Sequence, residues 1–160
     1  MIRIDIPGFG SREITTVVTD YTGTHAFAGR LRSAVRTRLL GLARQAEIHV
    51  LTSDTFGTAE RELGNLPVTL HLLAGDKHDE QKRAFVLEND PGHVAAFGNG
   101  NNDRLMLEAV RDAGGLAIAV DNGEGCAVAA LLAAQVFVHG SENALDLLLN
   151  PNRCKATLRF

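Results

Sequence analysis

The sequence predicts an α/β protein built on a doubly wound, mostly parallel sheet, and three observations lead to this prediction. Short apolar runs rich in β-branched residues alternate with segments whose apolar residues recur at helical spacing. The alternation repeats with the period of βαβ units. Clusters of polar residues follow several of the predicted strands, where a fold of this class gathers its ligands.

The first element is predicted to be a β-hairpin. Ile2, Ile4 and Ile6 alternate with charged residues, and residues 7–10 (Pro-Gly-Phe-Gly) turn the chain before a β-branched run at 14–18. We expect the hairpin to lie on an edge of the sheet, with Asp20 following its second strand. Because an isolated carboxylate is costly to bury, Asp20 is expected at the exposed tip of that strand.

The remaining elements alternate to the end of the chain. Helical spacing of apolar residues and short β-branched runs place them in order. The predicted helices are 31–46, 58–63, 79–88, 106–113, 125–132 and 145–149, and the predicted strands are 48–51, 68–72, 94–97, 116–120 and 136–138. The tail 151–160 reads as irregular or as an extra edge strand.

Length and composition suit a single domain over residues 1–160, with its core at about 14–149. The 16 Lys and Arg residues against 19 Asp and Glu residues do not favour nucleic acid as a partner. Cys126 and Cys154 lack metal-ligand spacing and fit a reducing compartment. Neither a signal peptide nor a membrane span is evident, so we expect a soluble, cytoplasmic protein that does not bind membranes.

Four polar segments are expected at the carboxyl ends of the strands. They are 20–24 (Asp-Tyr-Thr-Gly-Thr), 52–54 (Thr-Ser-Asp), a segment that carries a lysine, and 98–103 (Gly-Asn-Gly-Asn-Asn-Asp). A carboxylate that attacks phosphorus, a hydroxyl and a lysine that hold phosphoryl oxygens, and acidic groups that hold Mg²⁺ are what an aspartyl phosphate requires. The ordered set therefore indicates phosphoryl-transfer chemistry.

At these residues the sequence resembles the haloacid dehalogenase (HAD) superfamily, and in particular the phosphorylation domain of P-type ATPases and its free-standing soluble relatives. The resemblance runs from about Thr16 to Leu132. Segment 20–24 differs from the P-type Asp-Lys-Thr-Gly-Thr motif only at Tyr21, 52–54 is similar to Thr-Gly-Asp, and 98–103 is similar to Gly-Asp-Gly-x-Asn-Asp.

The resemblance implies a role for each matching residue. Asp20 would be the nucleophile and a Mg²⁺ ligand, and Thr52 would bind the transferring phosphoryl group. The motif lysine best matches Lys82, with Lys77 as the alternative. Further residues are assigned to the metal site or to the support of these loops: the carbonyl of Thr22, Asn99 and Asp103 for the metal, and Gly23, Thr24, Ser53, Gly98 and Asn102 for support.

Two positions depart from the family pattern. Asn99 stands where the first acidic metal ligand of this loop is usual, and a neutral amide oxygen should weaken Mg²⁺ binding. Thr22 stands where phosphatases of the superfamily usually keep an Asp that acts as general acid and then as base. A Thr hydroxyl does not do this work near neutral pH, and such catalysis is worth about 10²–10⁴-fold in rate. Turnover is therefore expected to be slow.

No segment is long enough for a cap domain, because only nine residues separate Asp20 from the helix expected near Arg30. We therefore expect an open site that a protein partner or a neighbouring subunit completes around a phosphorylated substrate. The alternative function is a non-hydrolytic module that binds phosphate or regulates a partner. A response-regulator receiver is disfavoured, because receivers carry the phosphorylated Asp in the middle of the chain.

Several other polar residues leave alternatives open. His25 could act on a leaving group, although a surface position on the loop after Asp20, called the flap below, is the simpler interpretation. Tyr21 could line the entrance or pack against the flap, and Asp54 could face the site or cap the following helix. His49 and His71 lie within apolar strand runs and are expected to be structural.

Overall fold

The computed structural model describes all 160 residues. Its centre is a six-stranded parallel sheet with the spatial order β10-β9-β8-β3-β6-β7. The strands of this sheet are β3 (Thr16–Thr19), β6 (Glu47–Thr52), β7 (Thr69–Leu72), β8 (Val94–Gly98), β9 (Leu116–Asp121) and β10 (Val136–His139). Four further strands form two small antiparallel pairs: β1 (Ile2–Ile6) with β2 (Gly10–Ile14), and β4 (Ala26–Phe27) with β5 (Arg30–Leu31).

Seven helices cover the sheet. They are α1 (Ser33–Leu42), α2 (Ala59–Leu63), α3 (His78–Glu88), α4 (Arg104–Asp112), α5 (Val128–Ala133), α6 (Ser141–Leu149) and α7 (Pro151–Leu158). Buried residues of α1, α6 and α7 share one apolar cluster with one face of the sheet, and those of α3, α4 and α5 form a second cluster on the other face. The doubly wound α/β architecture expected from the sequence is therefore confirmed, since parallel sheets require cover on both faces.

The order of the strands fixes where a ligand would bind. The chain runs from β3 outward through β6 and β7, then crosses back to β8 on the other side of β3 and continues through β9 and β10. The direction of winding reverses between β3 and β8, which register as Thr16 opposite Val94 and Thr19 opposite Phe97. Loops at such a switch point diverge and leave room for a ligand beyond the carboxyl ends of the strands.

The N-terminal hairpin forms, but β1 and β2 pair only with each other and not with an edge of the large sheet. The strand before Asp20 is a separate element, β3, and both of its sides are occupied, by β6 and β8. No free side of β3 remains for the hairpin, which packs instead against α7.

The tail is helical, which corrects the expectation of an irregular segment or an edge strand. Pro151 occupies the first turn of α7, where a missing N–H costs nothing and the fixed φ suits a helix. Only Cys154 is fully buried on this helix, so its apolar periodicity is weak. Elsewhere, no helix combines the length and apolar character that a membrane span requires.

Candidate functional site

The polar segments expected at the strand ends meet at the switch point. Asp20 follows β3, Thr52 ends β6, and the loop 98–103 follows β8, the strand that lies on the other side of β3. Lys82 reaches the same place from the second turn of α3. Adjacent parallel strands bring these side chains together although more than 80 residues separate Asp20 from Asp103.

Lys82 joins the two carboxylates of this site. Its Nζ lies 2.7 Å from Oδ1 of Asp20 and 2.7 Å from Oδ1 of Asp103. Lys82 and Asp103 are fully buried, and Asp20 is 6% exposed. Lys77, the alternative lysine, is on the surface, where its side chain is 67% exposed and lies 3.7 Å from Glu80. The structure therefore brings Lys82, and not Lys77, to Asp20.

The cluster contains two carboxylates and one cation, and this imbalance shifts the pKa values of Asp20 and Lys82. Burial, together with the nearby charge of Asp103, raises the pKa of Asp20 to about 6 even though Lys82 opposes the shift. Burial alone would lower the pKa of the Lys82 ammonium, but the charges of Asp103 and Asp20 outweigh burial and raise it. Lys82 is thus a permanent cation at neutral pH, whereas Asp20 is the group whose ionisation is costly.

Asp103 also organises the loop that follows β8. Its Oδ2 accepts hydrogen bonds from the backbone N–H groups of Asn99 and Gly100, both at 2.9 Å. A Cβ atom on Gly98 would lie 2.4 Å from the Cβ of Asp103, so only glycine leaves room for this carboxylate. We expected Asn102 to order this loop, but its side chain makes no hydrogen bond and Asp103 supplies the contacts.

Thr24 connects the loop after β3 with the loop after β8. Its hydroxyl lies 3.5 Å from Oδ2 of Asp20 and 3.2 Å from Oδ1 of Asn99. Gly23 has a φ of 78°, and a Cβ at this position would lie 2.4 Å from Nδ2 of Asn99. The close approach of the two loops therefore depends on glycine at this position.

Several oxygen atoms of this part of the site are of the kind that bind hard cations. Oδ2 of Asp20 and Oδ1 of Asn99 both face the Thr24 hydroxyl, and the carbonyl of Thr22 accepts no hydrogen bond. Such a set of carboxylate, amide and carbonyl oxygens suits a hard divalent cation. The chain has no group of three or more His, Cys, Asp or Glu side chains arranged to hold a metal ion. A site here would accordingly use few charged ligands, as Asn99 implies.

Thr52 and its neighbours form the β6 side of the site. Thr52 is 1% exposed, and its hydroxyl accepts a hydrogen bond from the backbone N–H of Asp54 at 3.0 Å. The carboxylate of Asp54 accepts hydrogen bonds from the N–H groups of Thr58 and Ala59, ahead of α2. Asp54 therefore satisfies helix-end N–H groups, in agreement with the capping alternative, while Ser53 is exposed.

The residues beside Asp20 differ in part from the sequence expectations. His25 is not on the surface: it is 3% exposed, its ring packs 5.5 Å from that of Phe97, and neither ring nitrogen has a hydrogen-bond partner. Burial lowers the pKa of His25 to about 3, so the ring is neutral. Tyr21 is packed inside, with its hydroxyl donating to the carbonyl of Gly29 at 3.1 Å. The hydroxyl of Thr22 is buried and unpartnered.

The expected open site is not what the structure contains. No domain is inserted between β3 and α1, where only the short β4–β5 flap is found. Asp20 is nevertheless almost covered, and the concave pockets of the surface lie away from it. The expected exposed tip is absent because Lys82 and the Thr24 hydroxyl both contact the carboxylate, and Asn99 contacts Thr24 in turn. A phosphoryl group that reaches Asp20 must displace these contacts.

Three residues that follow strands β9 and β10 hold the flap, and no motif in the sequence marks them. Ser141, at the start of α6, donates from Oγ to the carbonyl of Thr24 at 2.6 Å. Asn122, after β9, donates to the carbonyl of Ala26 at 3.0 Å, and Glu124 accepts from the N–H of Ala28 at 3.1 Å. Their position after the last two parallel strands was the available signal, because every strand in this sheet ends at the same edge.

Comparisons with known proteins agree with this architecture. No family model matches the chain. The uncharacterised protein MJ0073 of Methanocaldococcus jannaschii is 43% identical over 72 residues, which are 45% of this chain and 73% of that protein.

Solved structures share the fold at low sequence identity. One is the 3-deoxy-D-manno-octulosonate 8-phosphate phosphatase of Moraxella catarrhalis, in complex with magnesium, phosphate and the KDO molecule, with a TM-score of 0.64, 19% identity, and coverage of 91% of this chain and 94% of that chain. Another is the haloacid dehalogenase-like hydrolase SP0104 of Streptococcus pneumoniae, with a TM-score of 0.59, 14% identity, and coverage of 83% and 97%. The chain therefore has the HAD superfamily fold and belongs to the same family as MJ0073.

Proposed function

We propose that this chain is a Mg²⁺-dependent phosphohydrolase or phosphotransferase that works through an aspartyl phosphate on Asp20. The observation that carries the proposal is the buried triad at the switch point, in which Lys82 lies 2.7 Å from both Asp20 and Asp103. A buried charge cluster is costly, and a buried carboxylate whose pKa is shifted by burial and a charged neighbour, at the ligand-binding edge of the sheet, supports a functional role.

The chain's own residues divide the work. Asp20 attacks phosphorus through one carboxylate oxygen, and Lys82 balances the negative charge that the phosphoryl group brings. The Thr52 hydroxyl and the N–H groups that follow β6 hold phosphoryl oxygens. Asp103 keeps Lys82 in place and orders the loop that carries Asn99.

A Mg²⁺ ion would be held by Asp20, the carbonyl of Thr22, Asn99 and Asp103. When bound, it would neutralise charge on the phosphoryl oxygens. The oxygen-only donor set supports magnesium over softer metals, and the crystal of the Moraxella enzyme contains magnesium and phosphate.

Phosphoenzyme formation tests the proposal directly. Purified protein with Mg²⁺ and acetyl phosphate or p-nitrophenyl phosphate should release product and carry one phosphoryl group per chain, which mass spectrometry would detect. Asp20→Asn should lose both signals, while Asp76→Asn, which alters an exposed carboxylate outside the site, should retain them. If wild type and Asp20→Asn are equally silent across a broad panel of phosphate esters, the enzymatic proposal is wrong.

The second candidate is a non-hydrolytic module that binds phosphate and regulates a partner. It is favoured by the Thr22 hydroxyl, which offers no acid, and by the covered position of Asp20. Calorimetry with Mg²⁺ and beryllofluoride, a mimic of the phosphoryl group on Asp, separates the two candidates. Stoichiometric binding without turnover of any substrate supports the binding module, and the absence of binding would contradict both.

A further inference from the structure

We propose that three side chains form a clamp that fixes the flap as a rigid wall of the site: Ser141, Asn122 and Glu124. Within this clamp, Ser141 is a positioning residue for phosphoryl transfer, because it acts on Asp20 through Thr24. A phosphoryl group then enters by movement of the Thr24 side chain, while the backbone of the flap stays in place. This inference rests on the proposed function, since the reaction that Ser141 serves is the phosphorylation of Asp20.

The clamp holds alternate residues of the flap. Its hydrogen bonds reach the carbonyl groups of Thr24 and Ala26 and the N–H group of Ala28. Ser141 and Asn122 are 5% and 8% exposed, so water competes little for their bonds. Backbone groups two residues apart are thus held from the side of β9 and β10, much as a neighbouring strand would hold them.

The opposite side of the flap is also held. The carbonyl of Tyr21 accepts hydrogen bonds from the N–H groups of His25 and Ala26, at 3.0 and 2.9 Å. The Tyr21 hydroxyl, buried in the core, donates to the carbonyl of Gly29, and so does the Thr58 hydroxyl. A flap held along both sides lifts only if buried hydrogen bonds break, and each break leaves a polar group without a partner.

Thr24 is the residue through which the clamp acts on Asp20. Ser141 binds the carbonyl of Thr24 at 2.6 Å, whereas the Thr24 hydroxyl lies 3.5 Å from Oδ2 of Asp20 and 3.2 Å from Oδ1 of Asn99. Strong hydroxyl hydrogen bonds are about 2.5–3.0 Å long, so the contacts of this side chain are weak. The backbone of Thr24 is therefore fixed, and its side chain is the part that a phosphoryl group displaces.

The hydroxyl of Ser141 serves the flap and not its own helix. Helix α6 begins at Ser141, and it has no side-chain cap because the residue before it is Gly140. Serine is common at helix starts because its hydroxyl can bind free backbone N–H groups there. Here the hydroxyl donates to Thr24, across 117 residues of sequence. The contact thus links α6 to the loop that carries Asp20.

The direction of the effect of Ser141→Ala on phosphoenzyme formation distinguishes a fixed wall from a lid. Wild type and variant would be mixed with Mg²⁺ and acetyl phosphate, quenched at set times and scored by mass spectrometry. A misplaced Thr24 should lower the rate at saturating acetyl phosphate by about 10-fold to 10²-fold, with little change in the half-saturating concentration. If the flap has to open, loss of this bond raises the rate instead, and that result would overturn the inference.

Two further variants separate the hydrogen bond from a general disturbance of α6. Ser141→Thr keeps the hydroxyl and should restore most of the rate. Asn143→Ala removes a side-chain hydrogen bond to the carbonyl of His139, in the same turn of the helix but away from the flap, and should match the wild type. If Asn143→Ala slows phosphorylation as much as Ser141→Ala does, the cause is a loosened helix and the inference is wrong.

Hydrogen exchange tests the clamp without any activity. In the wild type, the N–H groups of residues 23–28 should be protected to a degree similar to those of β3, and Ser141→Ala should accelerate exchange in the flap alone, by at least about 10-fold. A wild-type flap without protection is a mobile lid and overturns the inference. Faster exchange in Ser141→Ala with an unchanged rate of phosphorylation also overturns it, because Ser141 then holds the flap without positioning Thr24.

Failure of the proposed function gives a different result. A wild type that forms no phosphoenzyme and binds no beryllofluoride contradicts the proposed function. Protection of the flap in that same protein, lost in Ser141→Ala, would still show that the clamp fixes the flap.

Discussion

Two three-residue ion clusters in this protein have opposite composition, and their cations differ in exposure to solvent. At the switch point, one cation lies between two carboxylates, and Lys82 and Asp103 are fully buried. Between α1, α6 and α7, one carboxylate, Asp146, lies between Arg38 and Arg153 at 2.8 and 3.2 Å. The arginine side chains of this second cluster are 29% and 54% exposed.

The difference shows where charge serves stability and where it does not. Water and salt reach the two arginines, although Asp146 itself is only 8% exposed, so this cluster is partly screened and gives a small stabilising attraction. The Lys82 cluster is desolvated and carries one excess negative charge, so it costs free energy that a bound cation could offset. The first cluster links three helices, and the second lies at the edge of the sheet where a fold of this class binds its ligands.

Removal of the buried cation should have the largest effect. Lys82→Met leaves two buried carboxylates facing each other, and breaking a buried ion pair in this way costs about 3–5 kcal/mol. We expect urea denaturation at pH 7 to show a loss of this size and mass spectrometry to show no phosphoenzyme. Lys77→Met, which alters an exposed lysine on the same segment, should change neither result. A loss below about 1 kcal/mol would mean that the buried cluster is as screened as the surface one.

Removal of the negative charge of Asp20 should instead stabilise the folded protein. The raised pKa of Asp20, about 6, means that the folded state binds more protons than the unfolded state between about pH 4 and 6. The contribution of Asp20 to the free energy of unfolding should therefore fall as pH rises through this window. Asp20→Asn lacks this penalty and should be more stable above pH 6, by up to about 3 kcal/mol, while losing the phosphoenzyme.

Urea denaturation of the wild type and of Asp20→Asn from pH 4 to 7 measures the difference between their free energies of unfolding. This difference should increase as pH rises to about 6 and then stay constant. Asp103→Asn is the informative comparison. Asp103 also binds two backbone N–H groups, so its replacement should destabilise the protein even though it removes the same charge. If the stability advantage of Asp20→Asn over the wild type shrinks as pH rises, the ionised Asp20 carboxylate is not the group that destabilises the folded protein.

His25 shows the effect of burial alone on a pKa, because it is buried without a hydrogen-bond partner and burial is the only cause of its shift. Its pKa of about 3 lies below the unfolded value of about 6.5, so the unfolded state binds more protons between these values. The contribution of His25 to the free energy of unfolding should therefore be complete above pH 6.5 and decrease as pH falls, by about 2 kcal/mol at pH 5. His25→Leu should remove this acid-side loss.

The control for this experiment is Leu40→Ala, at an exposed side chain that carries no titratable group. Its acid-side slope should match that of the wild type. If His25→Leu keeps the full slope between pH 5 and 6.5, the acid sensitivity comes from another group and burial of His25 is not its cause.

The sequence predicted the alternation of elements and the residues that gather around Asp20, because both depend on local pattern and on which end of a parallel strand a residue follows. It did not predict burial. Asp20 and His25 were expected on the surface since each is polar, yet cover from other loops decides their exposure. Thr24 contacts Asp20 directly, and it is held in place by Asn99 and Ser141, at sequence separations of 75 and 117 residues.

The sequence-based predictions for the N-terminal hairpin and for the C-terminal tail both differ from the structure, and for the same reason. The hairpin was placed on the sheet because its alternation is typical of an edge strand, but pattern does not say which strand offers a free side. The tail was not recognised as a helix because Cys154 alone forms its buried face. In both cases tertiary packing, and not local propensity, determines the outcome.

The surface cluster should give the smallest effect. Arg38 binds Asp146 through Nε and Nη2, at 2.8 and 3.1 Å, and such a fork on a partly exposed pair is worth about 1 kcal/mol. Arg38→Gln should lower the free energy of unfolding by that amount at low salt and by less at high salt, because the Debye length shortens. Phosphoenzyme formation should not change, and Arg83→Gln, on the exposed face of α3, should show no salt-dependent difference. A loss that persists undiminished in high salt would show that this cluster is shielded from solvent and would remove the contrast with the Lys82 site.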